Sequence, residues 1–253
     1  MTQDPDLSIV VPTFNEETRI GPALWRISDF LAGYPWRHEI IVVDDGSTDG
    51  TISLVESLAG EMDALRILVN DTNRGKGFSV RKGFMNARGK TLIFSDADLS
   101  TPIEELVGMW GYLREGFQVV IGSRALEGSR ILVRQARHRE AMGKMFNILV
   151  RILTPLGFRD TQCGFKCFQK KAALDICGLM TVDGFSFDVE MLLIAGKLGY
   201  RIKEVPVQWS NSQESRVGLV TGSWRMLADL VRIGWNDFRG VYPVTPKEAW
   251  TGQ

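Results

Sequence analysis

The sequence of 253 residues predicts a single α/β domain with a mainly parallel sheet and helices on both faces. Short runs rich in valine and isoleucine alternate with helix-like segments along the first half, which is the pattern of strand–helix–strand units. No internal repeat, low-complexity segment or linker divides the chain, and one hydrophobic core can serve a chain of this length.

The alternation places strands and helices in a regular order in the first half. Strands are predicted at residues 7–11, 39–43, 65–69, 91–94 and 118–122, and helices at residues 17–31, 49–58, 76–87 and 103–114. The second half is less regular. It predicts an arginine-rich loop at 128–139, a polar turn at 160–166, a strand at 201–207 and helices at 142–153, 185–198 and 223–239.

Composition and charge narrow the class of protein. Lys+Arg and Asp+Glu both number 30, so the net charge is zero, which argues against a nucleic-acid binder. The cysteines Cys163, Cys167 and Cys177 form no CxxC pair, so they predict neither a disulfide framework nor a zinc site and favour a reducing compartment. Residues 1–6 are polar, unlike a signal peptide, and no apolar run approaches the roughly 18 residues of a membrane span. We therefore expect a cytoplasmic protein that can contact a membrane only at its surface.

Polar side chains follow four of the predicted strands. The segments are 12–16, 44–47, 96–98 and 122–124. In a parallel sheet the carboxyl ends of the strands lie at one edge, and ligands bind beyond that edge. We therefore expect these four segments to meet at one ligand-binding rim.

Asp96 and Asp98 stand one residue apart at the end of the fourth predicted strand. Two carboxylates in this spacing can reach one hard cation, and Mg²⁺ or Mn²⁺ prefers oxygen ligands and often shares them with a diphosphate. The metal would offset charge on a departing nucleoside diphosphate. A surface turn with two solvated acids is the alternative, because the motif is short. The preceding apolar strand and the other three clusters favour the metal site.

Three further features suit a nucleotide. Asp44 and Asp45 end the second strand, where an acid can bind a ribose hydroxyl or a base N–H, or cap the next helix; Asp44 is the favoured nucleotide ligand. Gly75 and Lys76 lie in a turn before a helix, which suits either an anion site or a plain loop. Arg124 follows the fifth strand, where its guanidinium can bind a diphosphate or form a surface ion pair.

These motifs together resemble those of the inverting glycosyltransferases of family two, which have the Rossmann-like GT-A fold. The matching segments follow the order of that family: 12–16, 44–47, 73–77, 96–98 and 122–124. Residues 160–166 and 187–190 are similar to the polyprenyl-phosphate sugar transferases, chiefly the dolichyl-phosphate β-glucosyltransferases, with the dolichyl-phosphate mannose synthases as related enzymes. The resemblance covers about residues 7–217.

The resemblance implies a role for each matching residue. The nucleotide would be bound by Pro12, Phe14, Glu16, Asp44, Asp45, Gly75 and Lys76. Asp96 and Asp98 would hold the metal and the donor sugar-phosphate, Arg124 and Lys166 would hold phosphates, and Gln162 would lie near the donor sugar. Asp188 and Glu190 would contact sugar hydroxyls or act as a general base. Residues 7–124 would form the nucleotide-sugar half and residues 125–217 the acceptor half.

The acceptor decides whether a base is needed. A sugar hydroxyl needs a general base, whereas a lipid phosphate is already anionic and needs positive charge nearby instead. Arginines of the predicted loop, and one arginine much further along the chain after Ser215, could supply that charge or form a solvated face. They are Arg130, Arg134, Arg137, Arg139 and Arg216.

The predicted helix at 223–239 repeats apolar residues at helical spacing, including Trp224, Val231, Trp235 and Phe238, with arginines along the adjacent edge. Such a helix suits a lipid interface. Packing in the core or at the dimer face of a homo-oligomer is the alternative.

The expected function is therefore transfer of glucose from UDP-glucose to a polyprenyl or dolichyl phosphate, with Mg²⁺ or Mn²⁺, at the cytoplasmic face of a membrane. GDP-mannose as the donor and a soluble acceptor are the alternatives within this class. A nucleotidylyltransferase is disfavoured because residues 12–16 lack the glycine-rich, basic loop it would need. A non-catalytic nucleotide-sugar binder is disfavoured by the intact set of acids.

Overall fold

The computed structural model describes residues 4–211 and 219–244. The strands are β1 (Leu7–Thr13), β2 (His38–Asp44), β3 (Leu65–Val69), β4 (Thr91–Ser95), β5 (Val119–Ser123), β6 (Arg130–Val133), β7 (Phe165–Gln169), β8 (Ile202–Pro206) and β9 (Gln208–Ser210). The helices are α1 (Ile20–Ala32), α2 (Thr51–Ala59), α3 (Lys76–Asn86), α4 (Leu106–Arg114), α5 (Arg137–Leu153), α6 (Lys170–Cys177), α7 (Phe187–Lys197) and α8 (Leu219–Phe238), with one 3₁₀ turn at Ile103–Glu105.

Seven strands form one sheet in the order β3-β2-β1-β4-β7-β5-β8. Strands β1 to β4 pair in parallel, as do β5 and β8, so the predicted mainly parallel sheet is confirmed. Strand β7 runs antiparallel between β4 and β5 and was not predicted. Its residue Lys166 is fully buried, and a charged residue within so short an apolar run hides the strand pattern.

Alternation along the strands builds a core on each face of the sheet. On one face Val10 and Phe94 pack with residues of α3, α6, α7 and α8. On the other face Ile9 and Ile93 pack with residues of α1, α2 and α4. Helices therefore cover both faces, and the carboxyl ends of β1, β2 and β4 are left along one edge of the sheet.

The arginine-rich segment is not the loop that the sequence predicted. Residues Arg130–Val133 form β6, which pairs in parallel with β9 as a separate two-stranded sheet, and α5 already begins at Arg137. The run of Ile131, Leu132 and Val133 is a strand pattern, but it is short and mostly exposed. The flanking charged residues Arg130 and Arg134 obscured this strand pattern.

Helix α8 packs against the core through Leu230 and Ile233, which are fully buried. It is also joined to the segment before α7, because the Ser186 hydroxyl donates to the carbonyl of Met226 at 3.1 Å. Within residues 4–211 and 219–244, no helix combines the length and the apolar character needed to cross a bilayer.

Candidate active site

A cavity of about 820 Å³ opens at the carboxyl ends of β1, β2 and β4. The segment 181–185 and helix α8 complete its wall. Eight of the residues predicted for the site line it: Pro12, Phe14, Glu16, Asp45, Gly75, Lys76, Asp96 and Asp98. Three of the four segments predicted to meet at one rim therefore line this cavity, whereas residues 122–124 after β5 do not.

The two carboxylates after β4 form the most acidic part of the cavity. Asp98 Oδ1 accepts from the backbone N–H of Ser100 at 2.9 Å. Burial and the neighbouring Asp96 carboxylate raise the pKa of Asp98 above its ordinary value. Two partly desolvated carboxylates that repel each other are suited to a cation between them.

Lys76 forms an ion pair with one of these acids, Asp96. Its Nζ lies 2.5 Å from Asp96 Oδ1. Burial disfavours the charged ammonium, but the carboxylates of Asp96, Asp188 and Asp98 outweigh it and keep the pKa of Lys76 above its ordinary value. Lys76 begins α3, so the amino end of that helix faces the same acids.

Gly164, at the end of the loop before β7, forms a cradle for Asp96. A Cβ at this glycine would lie 1.8 Å from Asp96 Oδ2, and the backbone N–H of Asp96 donates to the Gly164 carbonyl at 3.1 Å. The Asp96 carboxylate therefore lies where any larger residue at 164 would intrude. Gly164 lies in the polar turn predicted at 160–166, where its sequence pattern indicates no role for it.

Asp45 shapes the turn that carries Lys76. Its Oδ1 accepts from the backbone N–H of Arg74 at 2.9 Å, and its Oδ2 accepts from that of Gly75 at 2.8 Å. Gly75 has φ +107°, and a Cβ there would lie 2.4 Å from the carbonyl oxygen of Asp183, so only glycine fits without strain. Asp45 thus faces the cavity and orders its wall.

The structure places Asp44 differently from the prediction. Its side chain is fully buried, accepting from the Ser47 backbone N–H at 2.8 Å and from the Ser47 hydroxyl at 2.5 Å. Asp44 does not line the cavity, and of the two neighbouring acids it is Asp45 that does. The expectation that Asp44 faces the nucleotide is corrected by this geometry, because its carboxylate closes a local turn.

Arg124 is engaged in a structural ion pair. Its Nε and Nη2 donate to Asp160 at 2.7 and 2.9 Å, and Asp160 also accepts from the Arg124 backbone N–H. Burial opposes ionisation of Asp160, but the Arg124 guanidinium holds the pKa of Asp160 below its ordinary value. Because this pair engages the guanidinium and Arg124 lies outside the cavity wall, the geometry gives no direct support to the predicted contact with a diphosphate.

Lys166 and Asp188 form a second buried pair, behind the cavity. Lys166 Nζ lies 2.5 Å from Asp188 Oδ1 and also donates to the Cys163 carbonyl. Burial raises the pKa of Asp188 even though Lys166 and Lys76 oppose this rise. Neither residue lines the cavity, so the predicted phosphate contact of Lys166 and the predicted base role of Asp188 have no direct geometric support.

Glu190, which was predicted to contact the sugar or act as a base, bonds to other groups of the protein in this structure. It is fully buried and accepts from the backbone N–H groups of Thr181 and Val182 and from the hydroxyls of Thr181 and Tyr242. These bonds fix the segment after residue 180, whose Thr181 lines the cavity. Glu190 thus supports the wall from behind.

The remaining predicted residues lie off the cavity or outside the described residues. Gln162 is half-buried and does not line the cavity. Arg130 and Arg134 are exposed at β6 and after it, and Arg216 falls outside the described residues. The cavity is lined instead by Arg19, Arg74, Arg225 and Arg232.

Helix α8 was missed as a wall of the cavity. Arg225, Met226, Ala228, Asp229 and Arg232 line it from this helix. The sequence showed a charged edge on the helix, but no local pattern connects that edge with strand ends more than a hundred residues earlier.

The outer side of α8 joins α5 in an exposed apolar surface, named here the α5–α8 surface. Gly234 of α8 packs against Leu153 of α5, since a Cβ at this glycine would lie 3.2 Å from the Leu153 carbonyl. The exposed members of the surface are Met145, Ile148, Ile152, Leu153, Trp224, Val231, Trp235 and Phe238. Phe238 is 83% exposed and Trp224 70%. A face so apolar beside arginines is typical of an interaction site.

Comparison with known proteins assigns the chain to a family. Residues 8–176 match the family described as Glycosyl transferase family 2. The dolichyl-phosphate beta-glucosyltransferase of Saccharomyces cerevisiae is 34% identical over 254 residues, which cover 93% of this chain and 76% of that protein. The enzyme of the same name from Drosophila melanogaster is 36% identical over 230 residues, covering 84% of this chain and 69% of that protein.

Solved structures share the fold. Mannosyl-3-phosphoglycerate synthase from Rubrobacter xylanophilus matches with a TM-score of 0.72 at 20% identity, covering 98% of this chain and 78% of that one. Glucosyl-3-phosphoglycerate synthase from Mycobacterium tuberculosis, in complex with Mn²⁺, uridine-diphosphate-glucose and phosphoglyceric acid, matches with a TM-score of 0.67 at 21% identity, covering 91% and 80%. These likenesses confirm the GT-A fold.

Proposed function

The chain belongs to glycosyl transferase family 2, and on that premise we propose that it transfers glucose, with inversion, from UDP-glucose to a polyprenyl or dolichyl phosphate. The names of its relatives, at 34% and 36% identity, support glucose as the sugar and a lipid phosphate as the acceptor. GDP-mannose is the alternative donor that the experiment below must exclude.

One observation carries the proposal most directly. Asp96 and Asp98 follow β4 into a cavity of about 820 Å³, which is large enough for a nucleotide sugar. They lie at the carboxyl edge of the sheet, where ligands of α/β proteins bind. A cation-binding acid pair and a cavity of this size are what a nucleoside diphosphate leaving group requires.

We propose that Asp96 and Asp98 hold a divalent cation, Mg²⁺ or Mn²⁺. The residues fit such an ion: both groups offer hard oxygen ligands, and burial together with the neighbouring Asp96 carboxylate raises the pKa of Asp98. Among the described residues, no three acidic, histidine or cysteine side chains come together to enclose a metal. The donor's diphosphate would therefore complete the ligand set. When bound, the ion would act as a Lewis acid that offsets charge on the leaving nucleoside diphosphate.

The side chains around the acids have separate tasks in this proposal. The ammonium of Lys76 is paired with Asp96 in this structure, and from this position it can neutralise the charge of a phosphate oxygen. Gly164 keeps the Asp96 carboxylate in place, and Asp45 holds the turn that carries Lys76. A phosphate acceptor is already anionic, so the reaction requires no general base. The buried pairing of Asp188 with Lys166 is compatible with that, because Asp188 need not take a proton.

We also propose that the α5–α8 surface docks on the cytoplasmic face of a membrane. A lipid acceptor must deliver its phosphate to the cavity while its chain stays apolar. The α5–α8 surface shares helix α8 with the cavity wall, and tryptophan with arginine on one helix suits a lipid headgroup region. Residues 125–217 would then form the acceptor half, with Arg130 as a candidate for the acceptor phosphate, and residues 7–124 the donor half. Gln162 stays a candidate for contact with the donor sugar. A homo-oligomer that covers this surface is the competing arrangement.

The donor and acceptor can be tested together. Purified protein with Mn²⁺ or Mg²⁺ is given UDP-glucose or GDP-mannose, with and without a short polyprenyl phosphate, and nucleoside diphosphate release is followed. We expect UDP release that requires the lipid phosphate and the metal. GDP release would assign mannose as the sugar instead. Tight UDP binding without any turnover would support nucleotide binding and contradict the proposed transfer.

Membrane docking has its own test, with a matched control. Trp235→Glu places a charge in the α5–α8 surface. Trp25→Glu places one on α1, where Trp25 is 43% exposed and the helix packs on the other face of the sheet from α8. We expect sedimentation with anionic vesicles to fall for Trp235→Glu alone. Equal sedimentation of both variants and the wild type would remove the membrane role of this surface.

A further inference from the structure

The acids that line the cavity differ in what holds them. Glu16 is bound by Arg19, Asp45 by Asn70 and two backbone N–H groups, Asp96 by Lys76, Asp98 by the Ser100 N–H, and Asp183 by Arg81. Asp229 of α8 is the exception: within residues 4–211 and 219–244 its carboxylate makes no hydrogen bond or ion pair. It is thus the lining acid whose carboxylate has no hydrogen-bond or ion-pair partner among the described residues.

Asp229 is also partly withdrawn from water. Burial, with Glu190 and Asp183 nearby, raises the pKa of Asp229 above its ordinary value, while Arg232 opposes the rise. Its Oδ2 lies 2.9 Å from where a Cβ on Gly184 would be, so that glycine leaves room for the carboxylate. A half-buried acceptor that faces a cavity gains stability when a ligand donates to it.

The position of Asp229 indicates which part of a ligand it meets. Gly184 follows Asp183, whose carbonyl approaches Gly75 in the turn that Asp45 holds beyond β2. The metal-binding acids follow β4, and β1 lies between the two strands, so the two ends of the cavity are separated by about 10 Å. A nucleoside diphosphate with its phosphates at the β4 end would extend its nucleoside toward Asp229.

We propose that Asp229 accepts a hydrogen bond from the nucleoside of the bound donor, either from a ribose hydroxyl or from a base N–H. This assignment rests on the proposed function, since it takes a nucleotide sugar to be the ligand. A carboxylate repels the diphosphate, whereas the nucleoside is the uncharged part that carries hydrogen-bond donors. Helix α8 thereby takes part in donor recognition as well as in the α5–α8 surface.

The test is the affinity for UDP, measured by calorimetry on the full chain, without acceptor. Asp229→Asn keeps the shape but removes the charged acceptor, and roughly tenfold to hundredfold weaker UDP binding is expected. Asp29→Asn is the matched control, because Asp29 is an exposed acid on α1, across the sheet from α8; its affinity should equal the wild type's. Simple charge repulsion predicts the opposite sign, since removing an acid near an anion tightens binding.

Two sets of analogues identify the group that Asp229 binds. If it is a ribose hydroxyl, the loss caused by Asp229→Asn should disappear with the 2′-deoxy or 3′-deoxy form of UDP that lacks it. If it is the base N–H, the loss should disappear with N3-methyl UDP and persist with both deoxy forms. Either pattern supports the proposal.

Two results would overturn it. UDP binding by Asp229→Asn as tight as that of the wild type would show that the carboxylate accepts nothing from the nucleoside. An equal loss of affinity for inorganic pyrophosphate would mean that Asp229 acts by holding Arg232 for the phosphates. A separate result would contradict the proposed function, namely that the wild type binds neither UDP nor GDP. In that case the role of Asp229 would have no nucleotide to act on either.

Discussion

Gly164→Ala is the substitution whose effect the structure defines most sharply. The new Cβ would lie 1.8 Å from Asp96 Oδ2 and 2.3 Å from its Cγ. To reach an ordinary contact of about 3.5 Å, Asp96 Oδ2 must move by about 1.7 Å. The Asp96 side chain is 32% exposed, so it can rotate toward the cavity without displacing the core.

The size of that movement sets the expected effect. A metal–oxygen bond for Mg²⁺ is about 2.1 Å long and tolerates little change, so a shift of this size removes Asp96 as a ligand in its working position. Misplacing a group by about 1 Å can cost roughly 100-fold in rate, and we expect turnover to fall by about that factor. Because rotation relieves the clash, the free energy of unfolding should change by only about 1 kcal/mol.

The assay compares turnover with stability in the same preparations. Metal-dependent UDP release and thermal unfolding are measured for Gly164→Ala and for Gly108→Ala, a helical glycine in α4 whose new Cβ would meet nothing within 4 Å. Gly108→Ala should keep full turnover and stability equal to or slightly above the wild type's. The reasoning is refuted if Gly164→Ala retains turnover, or if it loses turnover only because it unfolds.

Three other changes follow from the same contacts. Asp98→Asn should lower metal-dependent turnover by at least about 100-fold with an unchanged melting temperature, measured by steady-state kinetics and thermal unfolding; retained turnover contradicts the metal assignment. Asp160→Asn should lower the free energy of unfolding in urea by about 3 kcal/mol, because it leaves the Arg124 guanidinium without its charged partner. The UDP affinity should stay unchanged. A loss of affinity without a loss of stability would mean that Arg124 binds the phosphates after all. Burial, with Glu190 adding to the effect, raises the pKa of Tyr242 from 10.0 to about 12, so stability should be complete below pH 10 and fall as the pH rises to 12. Tyr242→Phe should lack this part of the alkaline fall in chemical denaturation, and an identical fall would contradict it.

The fold could be predicted wherever the hydrophobic pattern was unbroken. Strand β4 begins at the predicted residue, Thr91, because an unbroken run of apolar residues stands between two turns. Strand β7 was missed because the buried Lys166 interrupts it, and the carboxylate that pairs with this lysine is Asp188, 22 residues away. A partner so distant in sequence is brought close only by the tertiary fold, and hydrophobic periodicity does not predict it.

The site was predictable where chemistry coincides with a strand end. Asp96, Asp98 and Lys76 were identified because they directly follow strands or begin a helix. Arg124 was placed in the site because sequence shows a charge but not the carboxylate that takes it up, here Asp160. Asp229 could not be found, because helix α8 reaches the cavity only in the folded chain.

The lipid product tests the central claim most directly. The wild type and Asp98→Asn are incubated with Mn²⁺, UDP-glucose and a short polyprenyl phosphate, and the extracted lipid is analysed by mass spectrometry. The account predicts a polyprenyl phosphate carrying one hexose in the wild-type reaction alone, in amounts that match the UDP released. Release of free glucose with an unmodified lipid, or a modified lipid in the Asp98→Asn reaction, would contradict it.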